Sequence, residues 1–356
     1  MTDVDVVVIG AGQAGLSAAW FLVHRGFAPH RDVVVLDGND GPGGAWRHRW
    51  LSLTLGGAHG IHPLPGMDLT DAEDRTDVPA REVVADYFAR YEREFDLPVI
   101  RPVQVHAVRE AGDGRLLVET DRGTWRTRGL INATGTWTRP FWPRYPGMGD
   151  FRGRQLHTAD YTSAEAFRGQ HVVVVGGGHS AVQQLLEIAE VTTTTWVTRR
   201  PPAWREGPFD ADWGRAAVGA VADRVAAGAR PESVVSVTGL GVTPAVAAAR
   251  EQGVLDRLPV FDRVTPDGVA WDDSRFVRAD VILWATGFRH ALDHLAPLQL
   301  RSPQGGIRMD GTQVAEDPRI HLLGYGPSAS TIGANRAGRR AVRDLKAWLA
   351  ADAVAA

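Results

Sequence analysis

The sequence predicts an α/β fold with two Rossmann-like dinucleotide-binding domains, the second inserted into the first. Two observations carry this prediction. Residues 4–9 and 172–175 are runs of mainly β-branched side chains, typical of strands buried on both faces of a parallel sheet. A glycine-rich turn follows each run and leads into a segment with the pattern of a helix, so each place has a complete strand, turn and helix.

The first turn contains three glycines, Gly10, Gly12 and Gly15. The amino end of a helix carries unpaired amide hydrogens and about half a positive charge, so this turn favours the pyrophosphate of a dinucleotide. We expect the helix to begin at about Leu16. The next predicted strand, residues 33–36, ends in Asp37, whose carboxylate can accept hydrogen bonds from a ribose and repels a 2′-phosphate. These features predict that the first turn binds FAD. The alternative interpretation of Asp37 is an ordinary loop carboxylate.

The second turn contains two glycines, Gly176 and Gly178. The strand after it, residues 194–198, ends in Arg199 and Arg200, whose guanidinium groups suit a 2′-phosphate in charge and in bidentate geometry. This pattern predicts NADPH, with a solvated strand end as the alternative. Ser180 lies at the start of the following helix, where a hydroxyl caps amides or contacts a phosphate, and the sequence leaves both roles open.

Between the two turns, Phe151, Gly153, His157 and Tyr161 have the spacing F-x-G-x-x-x-H-x-x-x-Y. This segment resembles the fingerprint of flavin-containing monooxygenases, whose Baeyer–Villiger relatives usually have Trp at the position of Tyr161. Three further segments resemble family motifs: GGAW at 43–46, NATG at 132–135 and WATG at 284–287. The resemblance therefore covers most of the chain. We assign His157 a linking role at the junction of the two domains rather than a catalytic one.

The motifs and the resemblance together predict further FAD contacts at Gly44, Trp46, Val105, Thr134, Gly135, Gly287, Gly324 and Ile332. For Gly44 and Trp46 the alternative is an ordinary glycine turn with a core tryptophan. Val105 is implied by the resemblance alone, and Ile332 lies at the start of a last helix that is expected to direct its amino end at the flavin. Tyr325 stands where many related flavoproteins have an aspartate, and it either replaces that contact or packs.

One departure from the family pattern affects catalysis. The family has an asparagine shortly after G-G-x-W that helps to hold the flavin hydroperoxide, and Gly56 aligns with that position here. His59 and His62 follow a few residues later and are the candidates for a substitute hydrogen-bond donor. The alternative is that both histidines are structural, so no catalytic residue is certain.

Composition excludes several other function classes. The 356 residues and 44% hydrophobic content suit two globular domains. A net charge of -3 provides no basic field for nucleic acid, and no apolar run approaches the roughly 20 residues of a membrane-spanning helix. The first predicted strand leaves no room for a signal peptide, so we expect a cytoplasmic protein. Because the chain has no cysteine, it lacks the dithiol of disulfide reductases, and we predict no metal site.

These observations predict an FAD-binding domain over residues 1–145 and 281–356 and an NADPH-binding domain over residues 146–280. The resemblance implies a monooxygenase that oxidises NADPH and transfers one oxygen atom from a flavin C4a-hydroperoxide to a small soft nucleophile, an amine or thioether. Its partners would be that substrate and molecular oxygen. The alternatives are an NADPH oxidase or dehydrogenase without a stable peroxyflavin, and a nucleotide-binding redox sensor without turnover. Baeyer–Villiger oxidation ranks below these, and the substrate and oligomeric state stay open.

Overall fold

The computed structural model describes residues 1–58, 61–69, 73–205, 211–231 and 239–355. The strands are β1 Thr2–Ile9, β2 Val33–Leu36, β3 Val99–Ile100, β4 Val105–Glu110, β5 Leu116–Thr120, β6 Gly123–Asn132, β7 Arg154–His157, β8 Val172–Val175, β9 Thr194–Thr198, β10 Trp204–Arg205, β11 Leu240–Gly241, β12 Arg257–Pro259, β13 Arg263–Thr265, β14 Gly268–Ala270, β15 Phe276–Arg278, β16 Val281–Trp284, β17 Met309–Asp310, β18 Gln313–Val314 and β19 Asp317–Leu322. The helices are α1 Gln13–His24, α2 Ala80–Glu94, α3 His179–Ala189, α4 Ala211–Ala226, α5 Pro244–Glu251 and α6 Thr331–Ala355. Within the described residues, no helix is both long enough and apolar enough to cross a lipid bilayer.

The chain forms two compact units. Unit 1 consists of Met1–Thr136, Ala216–Val234 and His290–Ala356, and unit 2 consists of Trp137–Arg215 and Val235–Arg289.

Unit 1 is built on a sheet in the order β17-β18-β19-β6-β1-β2-β3, with β4 and β5 added beside β6. The central strand β1 pairs in parallel with both β2 and β6. Val6, Val7 and Val8 of β1 are fully buried because helices and strands cover both faces of this sheet. On one face, Leu16 of α1 and Leu345 of α6 belong to a single apolar core.

Unit 2 is built on a five-stranded parallel sheet in the order β12-β9-β8-β16-β7. A separate antiparallel sheet contains β13, β14 and β15, and a short pair is formed by β10 and β11. Every residue of β8 and of β16 is buried, as expected for inner strands of a parallel sheet.

The unit boundaries differ from the predicted domain boundaries. Residue 281 was predicted to begin the return to the first domain, but β16 pairs with β8 and β7 in the sheet of unit 2, which extends to Arg289. Residues 216–234, predicted to lie in the second domain, belong to unit 1. Both differences depend on which distant strand or helix a segment packs against. The assignment of FAD and NADPH to the two units stays a prediction.

Candidate cofactor-binding sites

The first glycine turn connects β1 to α1 in unit 1. Gly10 has φ +98°, and a Cβ at this position would lie 2.6 Å from the carbonyl oxygen of Ala133. A Cβ at Gly15 would lie 1.8 Å from the carbonyl oxygen of Gly10, so only glycine fits the close approach of the helix to the turn. Gly12 differs, because it caps α1 and a Cβ there meets no atom within 4 Å. Open space therefore faces the amino end of α1, where a pyrophosphate would bind.

Asp37 lies directly beside this turn, as the sequence predicts. It is 4% exposed, and its Oδ1 is 3.4 Å from the backbone nitrogen of Ala11. Its Oδ2 accepts a hydrogen bond from Arg101 Nε at 3.2 Å, while the other guanidinium nitrogens bind both oxygens of Glu92 at 2.6 and 2.8 Å. Burial lowers the pKa of Arg101, but Glu92 and Asp37 offset this effect and the net change is upward. Arg101 thus orients the carboxylate that is predicted to bind the ribose.

The G-G-x-W segment brings its backbone against the same turn. Gly43 and Gly44 both have positive φ, at +116° and +52°, and a Cβ on Gly44 would lie 2.8 Å from the Cα of Gly12. Trp46 is partly buried against the unit 1 core, with the Arg49 guanidinium 5.8 Å from its ring centroid. Gly44 is therefore needed for close packing at the turn, and the predicted FAD contacts of Gly44 and Trp46 stay predictions.

The NATG segment follows β6 and forms a hydrogen-bonded network. His294 Nε2 donates to Asn132 Oδ1 at 2.7 Å, and Asn132 Nδ2 donates to Thr134 Oγ1 at 3.1 Å. The Thr134 hydroxyl in turn donates to the carbonyl oxygen of Ala291 at 2.7 Å. Gly135 has φ +63° and open space at its Cβ position. The network fixes the backbone that lies against Gly10, and His294 carries no motif by which the sequence could reveal it.

The remaining predicted FAD contacts divide between the two units. Gly324 follows β19 with φ +73° and open space beside it, and Val105 begins β4. Ile332 lies in the first turn of α6, and its side chain is outside the described residues. Gly287 belongs to unit 2, not to the unit that holds the other predicted FAD contacts. Tyr325 is 5% exposed and its hydroxyl accepts a hydrogen bond from the Ile307 backbone at 3.0 Å, which is the packing role.

The loop after G-G-x-W carries the candidate catalytic residues. The backbone nitrogen of Gly56 donates to the Thr76 carbonyl oxygen at 2.8 Å, and a Cβ at Gly56 would lie 3.1 Å from that oxygen. The side chain of His62 is exposed, and its carbonyl oxygen accepts from Gln13 Nε2 at 3.0 Å. His59 lies outside the described residues. The loop is thus tied to the start of α1, and the catalytic role of either histidine stays a prediction.

The second glycine turn, in unit 2, repeats the pattern of the first. Gly176 has φ +148°, and a Cβ there would lie 2.2 Å from the carbonyl oxygen of Ala285. Gly178 caps α3 and has open space at its Cβ position, as Gly12 has. Ser180 is partly buried in the first turn of α3. Arg199 and Arg200 follow β9 and are both exposed, so their guanidinium groups are accessible to a phosphate.

The histidine of the fingerprint is buried and forms hydrogen bonds with backbone atoms. His157 is fully buried, and its Nε2 must donate to the Gly287 carbonyl oxygen at 3.0 Å because a carbonyl can only accept. Its Nδ1 accepts from the Ala159 backbone at 3.1 Å, which fixes the neutral tautomer. Burial lowers the pKa of His157. The Tyr161 hydroxyl donates to Glu187 at 2.7 Å, and burial raises the pKa of this tyrosine. These contacts lie within unit 2 and favour a structural role over proton transfer, and the linking role of His157 stays a prediction.

No group of three or more His, Asp or Glu side chains in the described part of the chain is arranged to hold a metal ion.

A family model described as pyridine nucleotide-disulphide oxidoreductase matches residues 7–214. The flavin-containing monooxygenase from Stenotrophomonas maltophilia is 38% identical in a structural match that covers 98% of this chain and 100% of that chain, with a TM-score of 0.81. The predicted two-domain α/β fold is therefore confirmed.

Two curated relatives match over shorter stretches. The indole-3-pyruvate monooxygenase YUCCA1 of Oryza sativa subsp. japonica is 33% identical over 187 residues, which are 51% of this chain and 44% of the relative. The uncharacterized oxidoreductase CzcO of Bacillus velezensis is 28% identical over 200 residues, 56% of each chain. The chain thus spans about half the length of the curated relatives it matches.

Proposed function

Because the chain belongs to the pyridine nucleotide-disulphide oxidoreductase family, among its flavin monooxygenases, we propose that it is a monooxygenase that oxidises NADPH and transfers one oxygen atom to a small soft nucleophile, an amine or thioether. Homologues in this family use FAD and NADPH. One observation carries the proposal: in each unit a glycine turn follows a strand with parallel neighbours, and the capping glycines Gly12 and Gly178 both face open space. Two such turns suit two dinucleotides.

The residues of unit 1 fit the FAD half of the proposal. FAD, when bound, supplies hydride acceptance and oxygen activation. The chain would hold its pyrophosphate with the backbone amides after Gly12, at the positive end of α1. Asp37, kept in place by Arg101, would accept hydrogen bonds from the ribose hydroxyls. Gly44 lets the backbone pass within contact distance of this turn, where a side chain would collide with Gly12.

The residues of unit 2 fit NADPH. The amino end of α3 would hold the pyrophosphate, since Gly178 leaves the approach open. Arg199 and Arg200 would bind the 2′-phosphate that distinguishes NADPH from NADH. The chain has no cysteine, so electrons cannot leave through a protein dithiol. That absence favours oxygen over a disulfide as the final electron acceptor.

A second candidate function is an NADPH oxidase that releases hydrogen peroxide. It is favoured by the missing side chain at Gly56, where the family resemblance implies an amide donor. Without a substitute donor, reducing power would leave the site as peroxide instead of oxygenating a substrate.

Product analysis under air tests both functions. Purified protein would be mixed with NADPH and, in separate reactions, with a tertiary amine and a dialkyl thioether. We expect oxygen-dependent NADPH consumption and an N-oxide or sulfoxide. Consumption with peroxide as the only product would establish the oxidase instead. No consumption by protein that is loaded with FAD would overturn both functions and support a sensor without turnover.

A further inference from the structure

Unit 2 contains a cavity of about 730 Å³. It lies at the edge of the parallel sheet where the strands begin, and the glycine turn lies at the opposite edge, where the strands end. Its charged lining consists of Arg152, Arg154, Arg168, Arg278, Asp267 and Asp280. Arg154 is the first residue of β7, whereas the glycine turn follows Val175 at the carboxyl end of β8. Strands rise about 3.3 Å per residue, so these four-residue strands separate the two edges by about 10 Å. The cavity is therefore distinct from the predicted NADPH turn.

The lining carries more positive than negative charge, with four guanidinium groups against two carboxylates. The carboxylate of Asp280 already accepts a hydrogen bond from the His171 backbone at 2.7 Å. Asp267 lies 3.8 Å from Arg152, and the two side chains are 69% and 77% exposed, so this ion pair is weak. Arg168 donates to both carboxylate oxygens of Glu165 at 2.9 and 2.7 Å, so Arg152, Arg154 and Arg278 carry the positive charge that is available to an anion.

The arginines differ in how they are held. Arg154 is fixed, because its Nη2 donates to the Ala166 carbonyl oxygen at 3.0 Å and to Gln170 Oε1 at 3.2 Å, while Phe167 packs 5.0 Å from its guanidinium carbon. Its other N–H groups are not used by these contacts. Arg278 is exposed, and its guanidinium group has neither a hydrogen bond nor an ion pair within the described parts of the chain. One arginine is thus pre-positioned and another is free to bind.

We propose that this arginine cavity binds the phosphoryl group of a small phosphorylated molecule. Guanidinium forks match phosphate oxygens in charge and geometry. A phosphoryl group presents three charged oxygens and can engage several arginines at once, whereas a carboxylate presents two. The cavity volume lies within the range of small-molecule sites. The site depends on neither FAD nor NADPH.

Isothermal titration calorimetry with pyrophosphate tests the proposal. The titration would use the full chain saturated with NADP⁺ at low ionic strength, and would be repeated with Arg199→Ala/Arg200→Ala to remove the other predicted phosphate site. We expect binding in both proteins. Arg278→Gln and Arg152→Gln should each weaken it at least tenfold.

Arg275→Gln is the matched control. Arg275 is an exposed arginine between β14 and β15 that pairs with Asp273 and does not line the cavity, so its loss removes the same charge and should leave binding unchanged. Equal weakening in Arg275→Gln would mean that general surface charge binds the anion. Binding that is absent in the wild type, or lost in Arg199→Ala/Arg200→Ala, would overturn the site. Citrate binding as tight as pyrophosphate binding would overturn the choice of a phosphoryl group.

Discussion

Single glycines have separable roles at the first turn. A Cβ at Gly12 meets no atom, and its φ of −84° suits any residue, so Gly12→Ala should fold normally. It should nevertheless lose FAD, because the methyl group would occupy the space through which amides reach the pyrophosphate. Gly15→Ala should lose stability as well, since its Cβ would lie 1.8 Å from a carbonyl oxygen. The flavin absorbance per protein and the melting temperature measure these two effects.

Gly219→Ala controls for the added methyl group, because Gly219 is exposed in α4 and also has open space. We expect it to keep both FAD and stability. Full flavin occupancy in Gly12→Ala would show that the first turn does not bind FAD.

Nucleotide choice should depend on Arg199 and Arg200. A hydrogen bond to a charged group contributes about 1.5–3 kcal/mol, so replacing both arginines with alanine should raise the KM for NADPH by roughly tenfold or more. The KM for NADH should change little, since NADH lacks the 2′-phosphate. Arg275→Ala removes a guanidinium elsewhere in unit 2 and serves as the control. A wild type that uses the two nucleotides equally would contradict the assignment.

An amide at position 56 should reduce peroxide release if the loop aligns as predicted. One well-placed donor contributes about 10²–10³ in rate where charge develops, so Gly56→Asn should raise the fraction of NADPH that yields oxygenated product. The new Cβ would require Thr76, 3.1 Å away, to shift slightly. Gly57→Asn places the same amide one residue later, where we expect no gain. Peroxide per NADPH is the measurement, and equal behaviour of the two variants would show that the alignment is wrong.

Some site residues could be predicted from sequence and others could not. The position of Asp37 could be predicted because it directly follows a strand in a local pattern, and the structure places it beside the turn, while its role in binding the ribose stays a prediction. Arg101 and His294 were missed. Arg101 meets Asp37 across 64 residues, and His294 meets Asn132 across 162, so no local pattern connects them.

At the scale of elements, local pattern predicts strands better than it predicts their partners. The predicted bounds 33–36, 172–175 and 194–198 match β2, β8 and β9. The first helix begins at Gln13, before the predicted Leu16, because Gly12 already serves as its cap. The sheet of β13, β14 and β15 was not predicted, and neither was the pairing of β16. The strands β13, β14 and β15 form local hairpins but are too short to show a clear pattern, whereas β16 pairs with β7 and β8, which lie far earlier in the chain.

The position of β16 predicts a large effect of Trp284. This residue is fully buried between neighbouring strands, donates from Nε1 to Gln155 at 3.1 Å and packs against Phe261. Trp284→Ala should lower the free energy of unfolding by about 3–5 kcal/mol. Phe276→Ala is the control, because that ring is 53% exposed and its loss should cost about 0.5 kcal/mol or less. Urea unfolding checks both, and equal costs would contradict the inner position of β16.

At the scale of the whole molecule, three stretches of chain that are far apart in sequence make up unit 1. The sequence predicted that one domain interrupts the other because the two glycine turns are easily recognised. It could not predict that residues 216–234 join unit 1, since their alanine-rich helical pattern is compatible with packing against either unit. Contacts with residues that are far away in the sequence determine that this segment belongs to unit 1.

The core of unit 1 also contains a buried histidine, and this histidine makes the free energy of unfolding depend on pH. His321 of β19 is fully buried, its Nδ1 lies 3.0 Å from Thr312 Oγ1, and burial lowers its pKa to about 4. An unfolded histidine titrates near 6.5, so between these values the unfolded state binds the additional proton and stability falls as pH falls. The full shift corresponds to about 3 kcal/mol, most of it lost between pH 6.5 and pH 4.

His321→Asn should flatten this dependence, because asparagine can keep the contact with Thr312 and does not titrate. Urea unfolding at pH 7 and pH 5 would measure it, with an expected loss of about 2 kcal/mol in the wild type and a clearly smaller loss in the variant. His106→Asn is the matched control, since His106 is exposed and its replacement should leave the pH dependence of the wild type intact.

A wild type that is equally stable at both pH values would show that His321 does not remain neutral in the folded protein, or that its proton is shared with a neighbouring charge. The charge of Asp344 acts to raise the pKa of His321, while the charge of Arg340 acts to lower it. Because a pKa of about 4 already leaves the folded His321 mostly neutral at pH 5, Asp344→Asn should change the loss of stability at that pH very little.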